Sequence, residues 1–357
     1  MTNKDRIIAA VTGTPTDRRP YFFYFGPWAE SIERWKTEGL HTSDWANYFE
    51  MDEGITTVDV NLGYYPSFDP VLIEDREETQ IIIDRLGIKQ EIRKKGASIP
   101  RYIDYPVKSR NDWEELKKRL DPDEPARFPA DWNEKIAKYN QSDAVIQIGE
   151  YPYGFFGTLR DMIGVEDLLI LFYDDPDLIR EMMEYLCNFW IRIYEKVVKD
   201  VNIDAIHIWE DMSGKTGSLI SPAMVREFML PCYRKIKQFA ISNHIPILSV
   251  DTDGNCRQLA PLFFEAGVNL MMPFEVQEGN ELDWYVQDLP EMCLMGGFDK
   301  KALWTSKEAI DLEFKRLEPV FSSHARFIPA PDHLIPPEVP FELMCYFMKC
   351  LKEKIAV

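Results

Sequence analysis

A chain of 357 residues with 45% hydrophobic content can bury a large core, as one α/β barrel or as two smaller domains. Its formal net charge of −19 argues against nucleic acid and anionic membrane surfaces as partners. No run approaches the roughly 18 apolar residues of a membrane span. MTNKDRIIAAV carries no signal-peptide apolar region, and Cys187, Cys232, Cys256, Cys293, Cys345 and Cys350 show no paired spacing, so the expected setting is the reducing cytoplasm.

Thr2 or Asn3 caps a first helix over residues 3–11. GTPTDRRP is a turn, YFFYF (21–25) a first buried strand, and IERWKTEGL and WANYF are helical. GITTVDV (54–60) is the second strand. Residues 61–143 then leave the simple alternation. TQIIIDRLGIKQEIRKKG and SIPRYIDYPVKS read as antiparallel ribbon with Gly96 near the turn. RNDWEELKKRL is a helix capped at Asn111 or Asp112, and DPDEPARFP is a connection. The whole stretch is expected as an insertion or lid within one domain spanning 1–357.

Alternation resumes at 145–150. A short helix around TLRDMIG and a second from about Asp177 to Asp200 lead to AIHIWED. Helices follow at Pro222–Asn243, CRQLAPLFFEAG, ELDWYVQD, from Ser306 and from Phe341. The remaining strands are 205–211, 246–251, 269–275, 292–298 and 326–331. Eight strands alternating with helices predict a (β/α)8 TIM barrel, class α/β, with a long insertion after the second strand. A doubly wound sheet would carry a glycine-rich first loop, which the sequence lacks.

Nearly every predicted strand ends in an acid: Asp59, Glu150, Glu210 with Asp211, Asp251 with Asp253, Glu275, Asp299 and Asp332 beside His333. Carboxyl ends of parallel strands form the ligand-binding face, so these groups meet at one mouth. That points to an enzyme. Phosphate-cradling and dinucleotide loops are absent, as is a G-x-S-x-G nucleophile elbow. His41, His244 and His324 sit in helix or loop contexts, and His207 reads as packed core inside a strand. His333, at a strand end beside Asp332, reads as functional.

In SVDTDGN the two aspartates point to one side if the strand persists, suiting a cation or a polar substrate. Asp253 or Asn255 can equally cap the following helix, whereas Asp251 lies deeper in the strand. In WED one carboxylate faces inward and the other outward; a buried, unpartnered one would have a raised pKa and could serve as general acid. Lys300 of GGFDK reads as an ion partner for a neighbouring acid. Trp28, Tyr65, Tyr151 and Tyr153 near loops would supply apolar walls.

DRRPYFFYF, SLISPAMVREFMLPCYRKI, PILSVDTDGN, EAGVNLMMPFE, GGFDK and DHLIPPEVPFE occur in an order and spacing that resemble the uroporphyrinogen decarboxylase superfamily over essentially the whole chain. The resemblance implies a (β/α)8 barrel with its active site at the strand carboxyl ends, and a homodimer. Asp59 falls at the family's central aspartate and His333 at its G-H-G-I-x-P histidine. The decarboxylase's arginine-rich segment is replaced by GPWAESIERW, and Asp211 stands where its serine would be. In the cobalamin-linked methyltransferase branch an H-x-C zinc motif would fall at Ser249–Asp251, and a later cysteine near Asp332–His333.

The combined expectation is a metal-dependent methyltransferase passing a methyl group from a small methylated or methoxylated compound to a corrinoid carrier. Asp251, Glu275, Asp299 and His333 would hold a divalent metal, zinc first. Glu210, Asp211, Asp59 and Glu150 would act in catalysis, and Asp253, Lys300 and Asp332 would bind substrate. A corrinoid-binding signature is absent from the sequence, so the cobalamin would arrive on a partner protein or free. The alternatives are uroporphyrinogen decarboxylation, for which an acidic mouth is ill suited, and a non-catalytic small-molecule-binding barrel.

Overall fold

The computed structural model describes residues 1–95 and 99–356. The turn expected at Gly96 lies outside them.

The strands are β1 (Ile55–Thr57), β2 (Val71–Asp75), β3 (Thr79–Ile83), β4 (Lys89–Arg93), β5 (Arg101–Asp104), β6 (Val145–Ile148) and β7 (Ala205–Trp209). They continue as β8 (Ser213–Gly214), β9 (Gly217–Ser218), β10 (Ile247–Asp251), β11 (Leu270–Met272), β12 (Cys293–Phe298) and β13 (Phe327–Pro331). Seven of them form one parallel sheet in the order β1-β6-β7-β10-β11-β12-β13. Helices Phe155–Ile163, Val165–Asp174, Pro176–Val197, Leu230–Ser242, Lys307–Ser323 and Phe341–Ile355 bury apolar stripes in the main hydrophobic cluster.

The strand expected at 21–25 does not form. Residues 20–28 instead run irregularly across the eighth position. Tyr21 donates its N–H to the Asp52 carboxylate at 2.8 Å, and its carbonyl accepts from Asp52 N–H. Further along, Pro27 bridges to Ile335 beyond the end of β13. A side chain has replaced a ladder partner, so no regular strand results. Closure is maintained by packing. Phe22 shares an interior cluster with Val145, Ala205, Ile247, Leu270, Cys293 and Ile328, and the first helix (Asn3–Thr12, capped by Thr2) adds Ile7, Ala10 and Val11 to it. The architecture is therefore a (β/α)8-type barrel with seven ladder strands and one irregular stave.

The stretch 61–143 contains a four-stranded antiparallel sheet, β2-β3-β4-β5. Its helix Arg110–Lys117 is capped by Ser109, which accepts from Asp112 N–H, and not by Asn111 or Asp112 as expected. A helix at Trp132–Gln141 had no counterpart in the sequence reading. The helix expected over Pro222–Asn243 is divided by a π-turn at Val225–Met229. Pro231 lacks the N–H that would bond to the carbonyl four residues earlier, and the wider turn accommodates that loss. All six cysteines are free thiols. Among the described residues, no helix is long and apolar enough to cross a membrane.

Candidate functional site

Strand periodicity builds the site from the barrel interior upward. Ile247 faces the interior cluster, so Ser249 and Asp251 face the same way. Likewise Ala205 and His207 of β7, and Val145 and Gln147 of β6, share the inner face. The lowest layer is apolar and the next is polar. His207 Nδ1 meets Ser249 Oγ at 2.9 Å, and its ring packs 5.1 Å from that of Tyr24. The Gln147 amide donates to the Gly149 carbonyl at 2.9 Å and to Tyr24 Oη at 3.2 Å. Burial drives the His207 pKa down to about 3, so the ring is neutral.

Asp251 stands above this layer, only 6% exposed. Burial, then the charges of Asp253, Asp211 and Glu275, hold its carboxyl well above the usual range.

Higher still, one donor atom each from Asp253, Glu275 and His333 comes within 4.8 Å of the other two. These residues follow β10, β11 and β13. His333 Nε2 lies 3.4 Å from Asp253 Oδ2, and its ring stacks on Phe25 with centroids 5.2 Å apart and planes at 7°. Burial lowers the imidazole pKa, but Asp253 and Glu275 outweigh it and the net shift is upward. Glu275 accepts the Gly254 N–H at 3.0 Å and lies 3.4 Å from Lys300 Nζ. The ion partner expected for Lys300 is thus Glu275.

Across the mouth, Arg160 donates to the Asp211 carboxylate at 2.6 Å and to its carbonyl at 2.8 Å. The same guanidinium lies 4.8 Å over the Trp209 ring, against which Tyr151 packs edge-on at 4.7 Å. Asp211 holds φ +42°, an uncommon conformation for a residue other than glycine. Beneath Arg160, Asp161 faces a small apolar cavity with Tyr64, Tyr153 and Trp190. Burial pushes its pKa up to about 7 against the pull of Arg160.

Several expected site residues hold the walls together instead of entering the cluster. Glu210 points outward to the helix layer. It accepts the N–H groups of Phe155, Phe156 and Gly157 and the Tyr233 hydroxyl, four donors in all. Burial raises its pKa to about 7 although every one of those hydrogen bonds lowers it. Asp332 is buried and accepts from Val276 N–H at 2.8 Å and Lys300 N–H at 3.0 Å, which ties the loops after β11 and β12 together. Its pKa rises to about 6 through burial, against those two bonds. Asp299 accepts from Lys301 N–H and from the Gln277 amide, outside the group of three. Asp59 is exposed and pairs with Lys135 at 2.9 Å; Glu150 is an exposed acid whose pKa is raised by partial burial and then by the charge of Asp59.

Of the four residues expected to hold a metal, Glu275 and His333 come together, Asp251 lies below them and Asp299 lies apart. Asp253, expected to bind substrate, completes the group. The polar layer of Gln147, Ser249 and Tyr24 was not singled out in sequence, and His207 was read as core. Its signal was available, because polar residues alternate with apolar ones inside otherwise apolar strands. Of the aromatics expected as pocket walls, Tyr65 and Tyr151 are exposed, Tyr153 lines the small cavity beside Asp161, and Trp28 is half-buried.

A family model described as uroporphyrinogen decarboxylase matches residues 2–354. The chain belongs to the uroporphyrinogen decarboxylase family. No curated protein matches it. Among solved structures, a methyltransferase from Methanosarcina mazei is similar at TM-score 0.63 and 17% identity, with 99% of each chain covered. At that identity the likeness shows a shared fold. At this mouth two cations face acids: Arg160 pairs with Asp211, and Lys300 lies beside Glu275.

Proposed function

We propose that this family member is a methyltransferase that moves a methyl group from a small methylated compound to a corrinoid carried by a partner protein. The observation that carries the reading is the convergence of Asp253, Glu275 and His333. Two carboxylates and an imidazole are a donor set for zinc or a harder divalent ion, and three protein ligands leave a position open for substrate. Ligands at ~2.1 Å from one ion lie at most ~4.2 Å apart, so the group needs to close only slightly. Supporting contacts suit the role: Gly254 N–H holds Glu275, and Phe25 holds the His333 ring. A bound metal would supply Lewis acidity at the mouth.

The chain's own residues do the rest. In the transfer, the bond from methyl carbon to its heteroatom would break with the heteroatom keeping the electron pair, and the pair for the new bond to the methyl carbon would come from the corrinoid acceptor. Asp211, whose carboxylate and carbonyl both accept from Arg160 Nη1, is the rim carboxylate placed to exchange a proton with the departing group. Glu210 is saturated by four donors and serves as the anchor of the helix Phe155–Ile163.

The acidic mouth weighs against uroporphyrinogen as substrate. A compound bearing many carboxylates requires free cations, and both Arg160 and Lys300 already face acids. The test is metal analysis after incubation with Zn2+ or Mn2+, beside an Asp253→Ala, His333→Ala double variant. About one metal per chain, lost in the variant, is the expected result. A wild-type protein that binds neither ion at micromolar concentration sinks the metal-assisted reading.

A further inference from the structure

The barrel has a seam between β1 and the irregular stave. In a parallel pair, successive residues direct their backbone groups to alternate sides. Val145 N–H donates to the Gly54 carbonyl and Val58 N–H to the Gln147 carbonyl, so Gly54, Thr56 and Val58 face β6. The N–H and C=O groups of Ile55 and Thr57 therefore point the other way, toward residues 22–24. Phe22 packs into the apolar layer, but no ladder joins the two segments. Among the described residues, the backbone groups of Phe22, Phe23, Tyr24, Ile55 and Thr57 have no protein partner across this gap. Those same five residues line a cavity of about 180 Å3.

Exposure shows that the cavity opens outward. β6, β7, β10, β11, β12 and β13 are buried at every residue, whereas Ile55, Thr56 and Thr57 are all half-buried. Tyr24 is half-buried as well. Two of the lining side chains belong to the polar layer of the interior: Gln147 Nε2 donates to Tyr24 Oη at 3.2 Å and to Thr57 Oγ1 at 3.4 Å. None of the five lining residues is charged, in contrast to the acids of the mouth.

Main-chain donors and acceptors on both walls are matched by molecules that carry both, such as water, a small alcohol or a primary amide. An ion would lose its hydration there without meeting a counter-charge. We propose that this seam is a lateral entrance to the barrel, admitting water and small uncharged polar molecules to Tyr24, Gln147 and Thr57 without passage through the acidic mouth. The mouth favours cations and the seam favours neutral molecules, so the two routes select by charge. In the methyl-transfer reading a corrinoid-bearing partner would cover the mouth, and the seam would stay open to water and small neutral products. The entrance itself is a property of the fold and holds whether or not methyl transfer does.

Thr57→Cys places a thiol of similar size in the cavity wall. Its labelling by neutral methyl methanethiosulfonate and by cationic 2-aminoethyl methanethiosulfonate can be followed by intact-protein mass spectrometry, with each rate divided by that of free glutathione and compared with wild type. The expected result is one label per chain beyond wild type in native buffer, with the neutral reagent at least tenfold faster than the cationic one. Ser249→Cys, in the same layer but away from the seam, should react at least tenfold more slowly than Thr57→Cys. No labelling of Thr57→Cys without denaturant, a preference for the cation, or equal rates at the two positions overturns the proposal. Hydrogen exchange of the wild-type protein decides the matter even if a variant fails to fold. The amides of Ile55 and Thr57, which face the seam, should exchange at least tenfold faster than those of Thr56 and Val58, which face β6. Equal protection at all four would mean that the seam is shut.

Discussion

At the residue scale, similar acids have been given different work by their surroundings. Asp332 and Glu210 are both buried, and both are satisfied by backbone N–H groups, so each is a structural tie. Asp332→Ala leaves the Val276 and Lys300 N–H groups without their partner, and a loss of roughly 2–4 kcal/mol is expected by chemical denaturation. Loss below ~0.5 kcal/mol would show that the two loops are held some other way. Asp161 is the opposite case, a half-buried acid with no backbone N–H partner whose pKa is pushed up to about 7 from an ordinary 3.8 by desolvation. Its folded form binds the proton more tightly than its unfolded form. Stability contributed by this group is therefore present below about pH 4, falls as pH rises toward about 7, and is level beyond. Asp161→Asn should flatten that slope, gaining roughly 1–3 kcal/mol over wild type at pH 8 and almost nothing at pH 4. Parallel stability–pH curves for the two proteins would refute it. The identity of the acids was legible in sequence. Their division into anchors and mouth groups was not, because donors such as the Phe155–Gly157 N–H groups lie more than fifty residues from Glu210.

At the element scale, the loops after the strands decide which side chains meet. Gly254 holds φ +75°, and a Cβ there would stand 2.4 Å from the Ser213 carbonyl oxygen. This turn presents Gly254 N–H to Glu275 and sets Asp253 opposite His333. Gly254→Ala is expected to cost about 1–3 kcal/mol and to weaken metal binding at least tenfold, as read by calorimetry with Zn2+. Unchanged affinity would mean that the turn does not position the site. The positions of the parallel strands β6, β7, β10, β11, β12 and β13 were legible because buried parallel strands are short apolar runs bounded by turn residues; the antiparallel pair β8 and β9 was not expected. YFFYF satisfied the same rule and failed as a strand, because apolar content reports burial and not whether ladder partners exist on both sides. The missed helix Trp132–Gln141 is mainly polar and exposed, with only Tyr139 buried, so it carried little periodic signal.

At the scale of the whole molecule, acids from separate loops are gathered about one barrel axis, and their mutual repulsion is held in place by the core. A divalent ion binding there should stabilise the fold by mass action. At an ion concentration 100 times Kd, about 2.7 kcal/mol is expected, seen as a rise of a few degrees in Tm that a chelator reverses. No shift with Zn2+ or Mn2+ would argue that Lys300 and His333 alone neutralise Asp253 and Glu275. The sequence by itself determined the alternation of strands and helices, the acid at each strand end and the exclusion of nucleotide loops, since these depend on local pattern and residue type. The tertiary structure alone decided that Asp253 and not Asp299 joins Glu275 and His333, that Glu210 turns away from the mouth, and that Gln147, His207 and Ser249 share the inner face of the barrel. Those outcomes depend on the rotation of each strand end about the barrel axis and on backbone groups far away in sequence, and neither is encoded in spacing along the chain.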